Sequence, residues 1–170
     1  MKDGNPKAIY LKDYQQPNYL IDEVSLRFEL FEGKTLVHAK LQVKTNENVS
    51  TSTDLQLHGE QLELIEVKID DKQLSEQDYL LNAESLTIRN VPSQFILTTL
   101  VEIDPAQNTA LEGLYLSSGN YCTQCEAEGF RKITYYLDRP DVMAVFSVRI
   151  EADQKRIPIL LSNGNRIAEG

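Results

Sequence analysis

Several residue types that catalytic and nucleic-acid-binding sites depend on are scarce in this chain. Its 170 residues include no tryptophan, two cysteines and two histidines, and 17 basic residues stand against 26 acidic ones. His38 and His58 fall in different predicted strands, so they offer little for general-base catalysis or a zinc site. The net charge of −9 and the scattered basic residues exclude nucleic acid and an anionic membrane surface as expected partners.

Long apolar runs and complete catalytic motifs are missing as well. No run approaches the roughly eighteen apolar residues of a membrane-spanning helix. The first residues lack the apolar core of a secretory signal, so we expect a cytoplasmic protein. The sequence contains no H-E-x-x-H or G-x-S-x-G motif, no phosphate-binding loop and no dinucleotide-binding fingerprint. The composition, 41% apolar and 25% charged, is that of a globular protein, and the length fits one domain.

The dominant pattern is the two-residue alternation of half-buried strands. Val24–Leu30 and Val37–Val43 alternate on either side of a turn at Glu32–Lys34, which predicts a hairpin. Phe95–Ile103 is apolar on both faces, which predicts a central strand. Residues 1–18 are predicted as an extended arm and residues 106–120 as a loop. Further short strands are predicted over residues 55–57, 64–69, 79–81, 86–88, 145–151 and 157–161.

No segment of ten or more residues shows the periodicity of a helix. We therefore predict an all-β domain, a sandwich, saddle or open barrel with at most short helical turns. Asn163-Gly164 predicts a last hairpin. Its second strand is almost absent because the chain stops at Gly170, so the last hairpin is unfinished and we expect a fragment of a longer polypeptide.

The pair Cys122-x-x-Cys125 has three alternative interpretations. Three residues of strand span about 10 Å, beyond the roughly 4.4–6.8 Å between the Cα atoms of a disulfide. A redox pair needs a helix N-terminus in a βαβ unit, and a zinc site needs two further ligands. We favour small buried thiols that pack, and keep redox and metal roles as the alternatives.

Polar side chains crowd the strand predicted around these cysteines. Alternation places Gln124, Glu126 and Glu128 on one face with Cys122, and the small Thr123, Cys125 and Ala127 on the other. A solvated face is the ordinary interpretation of such a row. Strands disfavour glutamate, however, so the row is also a candidate recognition surface.

The residues after this row predict a bend, a buried pair and a turn. Gly129 permits a sharp bend. Tyr135 and Tyr136 are assigned to the core and its rim. Asp138 to Asp141 is predicted as a turn that enters a short helix, with Asp138 or Arg139 at the cap and Pro140 at the first helical position.

Three segments, Asn108–Tyr115, Cys122–Arg131 and Ile133–Asp141, closely resemble bacterial aminopeptidase N, a family of zinc-dependent alanyl aminopeptidases in the gluzincin superfamily. Leu160–Asn165 resembles the next characteristic sequence segment of that family. The resemblance implies that residues 1–170 are the N-terminal β-domain, a saddle of mostly antiparallel strands. The catalytic domain that follows it in the family carries H-E-x-x-H, and this chain contains neither that motif nor, by this resemblance, any metal ligand or catalytic residue.

The resemblance also implies roles for two residues of the polar row. Gln124 lines the site for the first side chain of a peptide, and Glu126 helps to bind the free α-amino group. The implied partners are peptides with a free N-terminus and the catalytic domain, whose Zn²⁺ the fragment does not bind. The fragment alone is expected to be inactive. The alternative is a free-standing β-sandwich binding module without an enzymatic parent.

Overall fold

The computed structural model describes residues 10–49 and 53–170 and shows an all-β chain, as the sequence predicts. Within these residues the only helical elements are two 3₁₀ turns, Leu11–Asp13 and Phe130–Lys132. No helix of the described ranges is long and apolar enough to cross a membrane. The strands are β1 (Tyr19–Leu30), β2 (Thr35–Thr45), β3 (Leu55–His58), β4 (Glu63–Ile69), β5 (Lys72–Gln73), β6 (Tyr79–Asn82), β7 (Ser85–Ile88), β8 (Gln94–Ile103), β9 (Gly113–Ser117), β10 (Asn120–Gln124) and β11 (Val145–Ala152).

The largest sheet has six strands in the order β11-β1-β2-β8-β4-β5. β1 and β2 form the predicted hairpin, and its turn closes with a 3.0 Å hydrogen bond from the Phe31 N–H to the Lys34 carbonyl. Gly33, at φ 76°, supplies the left-handed residue of this turn. β8 lies between β2 and β4, which confirms the predicted central strand. Alternate side chains of β1, β2 and β8 are buried, so this sheet forms one wall of the core.

β11 lies at the edge of the large sheet and runs parallel to β1. A parallel pair needs a long crossover, and here the chain from β2 to β10 lies between the two strands in sequence. The strand predicted over residues 145–151 is confirmed. Phe146 of β11 meets the rings of Phe130 and Tyr136, with centroids 5.7 and 6.3 Å apart. This aromatic contact joins β11 to the segment that follows β10.

Two small sheets complete the described fold, β3-β7-β6 and the hairpin β9-β10. The predicted loop over residues 106–120 is wrong in its second half, because residues of β9 pair with β10 there. The two strands are joined at Ser118 and Gly119, which both have positive φ. Two-residue turns of this kind favour hairpins, so Ser118-Gly119 was the sequence signal for the missed strand.

Two predictions near the C-terminus are wrong. Residues 157–161 form no strand, and Ile159 and Leu161 are 73% and 85% exposed. Pro158 cannot donate to a strand ladder, and none of the described strands pairs with this segment. Asn163 and Gly164 form a bend and no hairpin. This apolar run therefore pairs with none of the described strands.

The predicted N-terminal arm falls only partly within the described residues. Residues 1–9 lie outside them. Residues 10–16 are exposed, and Pro17 is buried. Tyr14 donates a 2.8 Å hydrogen bond to the Asp141 carboxylate, and Arg139 donates to the Gln15 carbonyl at 2.6 Å. The arm is thus attached to the turn that follows Asp138.

A single turn replaces the predicted short helix at Asp138 to Asp141. The Val142 N–H donates to the Arg139 carbonyl at 3.2 Å, and the chain continues without helical structure into β11. Asp138 does not cap this turn, since its buried carboxylate accepts hydrogen bonds from residues that precede it in the chain. The long-range partners of Asp138 therefore override its local capping preference.

Residues 132–138 are buried throughout, although they form no named strand. Tyr135 and Tyr136 are only 2% and 4% exposed, so Tyr135 is core as predicted and Tyr136, predicted at the rim, is core as well. Burial raises the pKa of both phenols to about 12. Gly59 is packed so closely on Tyr135 that a Cβ there would lie 2.2 Å from a ring carbon.

A buried carboxylate locks the bend that follows β10. One oxygen of Asp138 accepts hydrogen bonds from the Gly129 N–H (3.0 Å), the Arg131 N–H (3.2 Å) and the Arg131 guanidinium Nε (2.6 Å). Burial acts to raise the pKa of Asp138, but the Arg131 side chain and the two backbone donors outweigh it and lower the pKa below its usual value. The ionised carboxylate is therefore the stable form in the fold.

His58 at the end of β3 holds Asp138 in turn. The Asp138 N–H donates to His58 Nδ1 at 3.1 Å, so the neutral ring carries its proton on Nε2. The backbones of His58 and Tyr136 exchange two hydrogen bonds of 2.8 and 3.1 Å. Burial, aided by the charge of Arg131, lowers the pKa of His58, which suits its role as an acceptor.

Gly59→Ala is expected to destabilise the fold by about 2 kcal/mol, because the added methyl group overlaps the buried Tyr135 ring. Urea denaturation measures the loss. Tyr135→Leu removes the ring and so relieves the overlap. The double variant should therefore lose less free energy of unfolding than the sum of the single variants. Strictly additive losses would contradict the overlap.

Asp138→Asn is expected to lower the free energy of unfolding by about 3 kcal/mol at pH 7, because it leaves Arg131 without its buried charged partner. The folded pKa of Asp138 lies below the unfolded value of about 3.9, so its stabilisation is present above that pH and is lost as the pH falls through the folded pKa. The difference between wild type and variant should therefore be constant above about pH 5 and shrink as the pH falls below about 4. Asp153→Asn, at an exposed carboxylate, is the control, and a pH-independent difference for Asp138→Asn would contradict the assignment.

Candidate functional site

The structure places Gln124 and Glu126 next to each other at the end of β10. Gln124 is the last residue of the strand, and both side chains are exposed. The Gln124 side-chain amide donates to the Glu126 carbonyl at 3.3 Å. Gln124 thus braces the backbone that presents the Glu126 carboxylate to solvent.

The strand stops earlier than the sequence predicts. Residues 125–129 have no strand structure, and the peptide bond between Glu126 and Ala127 is cis. The single row of Gln124, Glu126 and Glu128 is therefore wrong beyond Gln124, because alternation applies only to an extended strand. The Glu128 carboxylate accepts a hydrogen bond from Arg131, which separates its role from that of Glu126.

Two glycines with positive φ allow this segment to fold back on β9. Gly129 has φ 137°, and a Cβ there would lie 3.0 Å from the Gln124 carbonyl oxygen. Gly113 has φ 72°, and a Cβ there would lie 2.7 Å from the Cβ of Lys132. The predicted bend at Gly129 is confirmed. Besides the positive φ, the close packing of the backbone is a second reason why this position is a glycine.

The two cysteines are free thiols and do not share an environment. Cys125 packs against the core, and burial raises its pKa to about 11, so it is protonated at neutral pH. Cys122 donates a weak hydrogen bond to the Asn120 carbonyl at 3.8 Å. Both are half-buried rather than fully buried, and Thr123 and Ala127, predicted on the packed face, are exposed. A raised pKa disfavours the redox alternative for Cys125.

An ion-pair network surrounds the bend. Arg131 lies 2.5 Å from Glu128, 2.6 Å from Asp138 and 3.9 Å from Glu60. Lys132 is buried and lies 2.9 Å from Glu60. Each acidic side chain of this network, Glu60, Glu128 and Asp138, has a basic partner within 4 Å.

The Glu126 carboxylate stands outside this network. Within the part of the chain that the structure describes, it has no hydrogen bond or ion pair of its own. A solvent-facing carboxylate on a braced backbone can accept hydrogen bonds from a cation such as an ammonium group. This is the feature of the site that is free to bind a ligand.

Sequence reasoning missed the three residues that organise the site. Arg131, Asp138 and His58 hold the bend through contacts across up to 80 positions of sequence. The only local signal was the position of Arg131 two residues after Gly129, because periodicity cannot report long-range contacts of this kind. Across residues 10–49 and 53–170, no group of three or more His, Cys, Asp or Glu could hold a metal ion.

Bacterial aminopeptidases are among the curated relatives that this chain is similar to. Aminopeptidase N of Caulobacter vibrioides is 49% identical over 170 residues, which cover 100% of this chain and 19% of that protein. Aminopeptidase N of Escherichia coli is 48% identical over 165 residues, which cover 97% of this chain and 18% of that protein. The chain therefore spans about a fifth of the length of these relatives.

Solved structures of other proteins share the fold of this chain. Legionella pneumophila aminopeptidase A, in complex with aspartic acid, superposes with a TM-score of 0.87 at 36% identity, over 93% of this chain and 19% of that one. An M1 zinc metallopeptidase of Deinococcus radiodurans has a TM-score of 0.67 at 15% identity, over 81% of this chain and 33% of that one, which shows a shared fold. At the level of sequence, the family model of the Peptidase M1 N-terminal domain matches residues 15–170. This chain belongs to the Peptidase M1 N-terminal domain family.

Proposed function

We propose that this chain is the N-terminal domain of a zinc-dependent aminopeptidase, and that it anchors the N-terminal end of the peptide substrate. Glu126 receives the free α-amino group, and Gln124 lines the space for the first side chain. Support comes from the relatives named aminopeptidase N, which are 48–49% identical to nearly the whole chain. The resemblance of the Cys122–Arg131 segment to that family supports the two residue roles.

The observation that carries the proposal is the free carboxylate of Glu126. Its neighbours Glu128 and Asp138 are both ion-paired with Arg131, whereas Glu126 is exposed and has no partner among the described residues. A peptide N-terminus is an ammonium group, and a charge-assisted hydrogen bond to a carboxylate contributes roughly 1.5–3 kcal/mol. A carboxylate at a fixed position selects the end of a chain, because an internal peptide group offers no cation there.

Catalysis would belong to another part of a longer protein. The described residues contain no metal-binding group, so they do not fit a zinc site. The Deinococcus radiodurans protein of the same fold is an M1 zinc metallopeptidase, and this neighbour supports zinc as the metal of the proposed enzyme. In the proposed enzyme this domain supplies substrate contacts and packs against the domain that holds the metal.

Glu126→Ala in the full-length protein is expected to lower kcat/KM for an aminoacyl p-nitroanilide by roughly 10- to 150-fold, the equivalent of one lost charge-assisted hydrogen bond. Glu126→Gln should lose nearly as much, since it keeps the shape and removes the charge. Glu76→Ala is the matched control, because Glu76 is also exposed but lies in the loop between β5 and β6. An unchanged kcat/KM for Glu126→Ala would remove this residue from substrate binding.

The isolated chain of residues 1–170 is expected to show no turnover of the same substrate, with or without added Zn²⁺, because its described residues offer no metal-binding group. The full-length protein, assayed in parallel, provides the positive control. Zinc-dependent turnover by the isolated chain would contradict the assignment of catalysis to another domain.

A further inference from the structure

The loop that carries Glu126 has little structure of its own. Residues 125–128 belong to no strand or helix, and they connect the end of β10 to Gly129, whose carbonyl accepts the Lys132 N–H of the following 3₁₀ turn at 3.0 Å. At its start the Gln124 side chain donates to the Glu126 carbonyl. Cys125, the first residue of the loop, packs against the core, so the near end is held. The position of the Glu126 carboxylate then also depends on what holds the far end of this loop.

Asp138 holds that far end. Its single carboxylate oxygen takes the N–H of Gly129, the last residue of the loop, together with the N–H and the Nε–H of Arg131. Arg131 extends the same attachment into the loop by donating to the Glu128 carboxylate. Two of the three residues that follow Glu126 before the 3₁₀ turn, Glu128 and Gly129, are thus tied directly or through Arg131 to Asp138.

Asp138 is itself attached to the body of the fold. Its N–H donates to His58 Nδ1, and His58 belongs to β3, which is paired with β7. Its side chain is 6% exposed, so water does not compete strongly for the carboxylate. The loop is therefore held against a sheet, while the exposed Glu126 carboxylate is left out of these contacts.

We infer that Asp138 is a positioning residue for substrate binding: by holding Gly129 and Arg131 it sets the place of the Glu126 carboxylate for the substrate α-amino group. Asp138 does not touch the substrate. The inference rests on the proposed function of Glu126. A displacement of about 1 Å at a charge-assisted contact is enough for a large loss of discrimination, which is how a residue outside the site acts on it.

The test compares two inhibitors of the full-length enzyme that differ only in the α-amino group, L-alanine hydroxamate and propionohydroxamic acid. The ratio of their inhibition constants reports recognition of the amino group. It does not depend on the fraction of enzyme that is folded, so a purely structural loss leaves it unchanged. Glu126→Ala should reduce the preference for the amino-bearing inhibitor by about 10-fold or more. Asp138→Asn should reduce it by roughly 3- to 10-fold.

The double variant Glu126→Ala/Asp138→Asn decides whether Asp138 acts through Glu126. Its preference should equal that of Glu126→Ala alone, because a carboxylate that is absent cannot be misplaced. Asp78→Asn is the matched control, since Asp78 also accepts a backbone N–H, that of Ser75 at 2.7 Å, in an exposed loop. It should leave the preference unchanged.

Arg131→Lys provides a second variant in case Asp138→Asn does not fold. It keeps the positive charge beside Asp138 and removes the guanidinium that reaches Asp138 and Glu128 together. It should reduce the inhibitor preference in the same direction. In both variants, amide hydrogen exchange of the peptide spanning residues 125–131 should become faster than in the wild type.

The failures of the two proposals are distinguishable. A normal preference in Asp138→Asn and Arg131→Lys, with a reduced preference in Glu126→Ala, would overturn the positioning role and leave the proposed function intact. An unchanged preference in Glu126→Ala would overturn the proposed function and the positioning role with it. A further loss in the double variant beyond Glu126→Ala would show that Asp138 acts independently of Glu126.

Discussion

Three N–H groups donate to one buried oxygen of Asp138, and the shape of the segment between β10 and β11 depends on this contact. A buried carboxylate is costly unless it is paired and hydrogen-bonded, and here both conditions are met. The guanidinium of Arg131 supplies the charge and two backbone groups supply the remaining donors. The bend after β10 therefore has one favourable arrangement, in which the Gly129 backbone lies beside Asp138.

The rest of the segment is arranged around that contact. His58 accepts the backbone N–H of Asp138 and connects it to β3, while Gly113 and Gly129 let two backbones approach closely. The ring of Tyr136 packs edge-on against Phe130, with centroids 4.9 Å apart. Two separate sheets are joined in this way to an irregular segment. The exposed carboxylate of Glu126 stays outside these contacts, and the Gln124 side chain donates to the backbone carbonyl of the same residue.

Much of the fold could be predicted because its signals are local. The alternation in β1 and β2, the Gly33 turn and the apolar β8 each follow from side-chain period and turn chemistry. The sequence analysis predicts a loop where β9 lies, although Ser118-Gly119 is a hairpin-turn signal. It also predicts a strand over the apolar residues 157–161, which pair with none of the described strands. Both errors have the same cause, since a strand exists only where another backbone is available to pair with it.

The sequence by itself determined the all-β class, the main hairpin and the bend at Gly129, and it nominated Gln124 and Glu126 as the candidate site residues, which stays a prediction. These depend on side-chain period, on turn-forming residues and on local motifs, all of which can be read within a few positions. Only the tertiary structure decided that the strand ends at Gln124 and that the Glu128 carboxylate binds Arg131. It also decided that Asp138 holds the bend and caps no helix. Those outcomes depend on hydrogen bonds that the local pattern does not encode, such as the contact of Asp138 with the distant His58. A buried donor or acceptor bonds to whichever partner the fold brings within reach, and only the tertiary structure shows which partner that is.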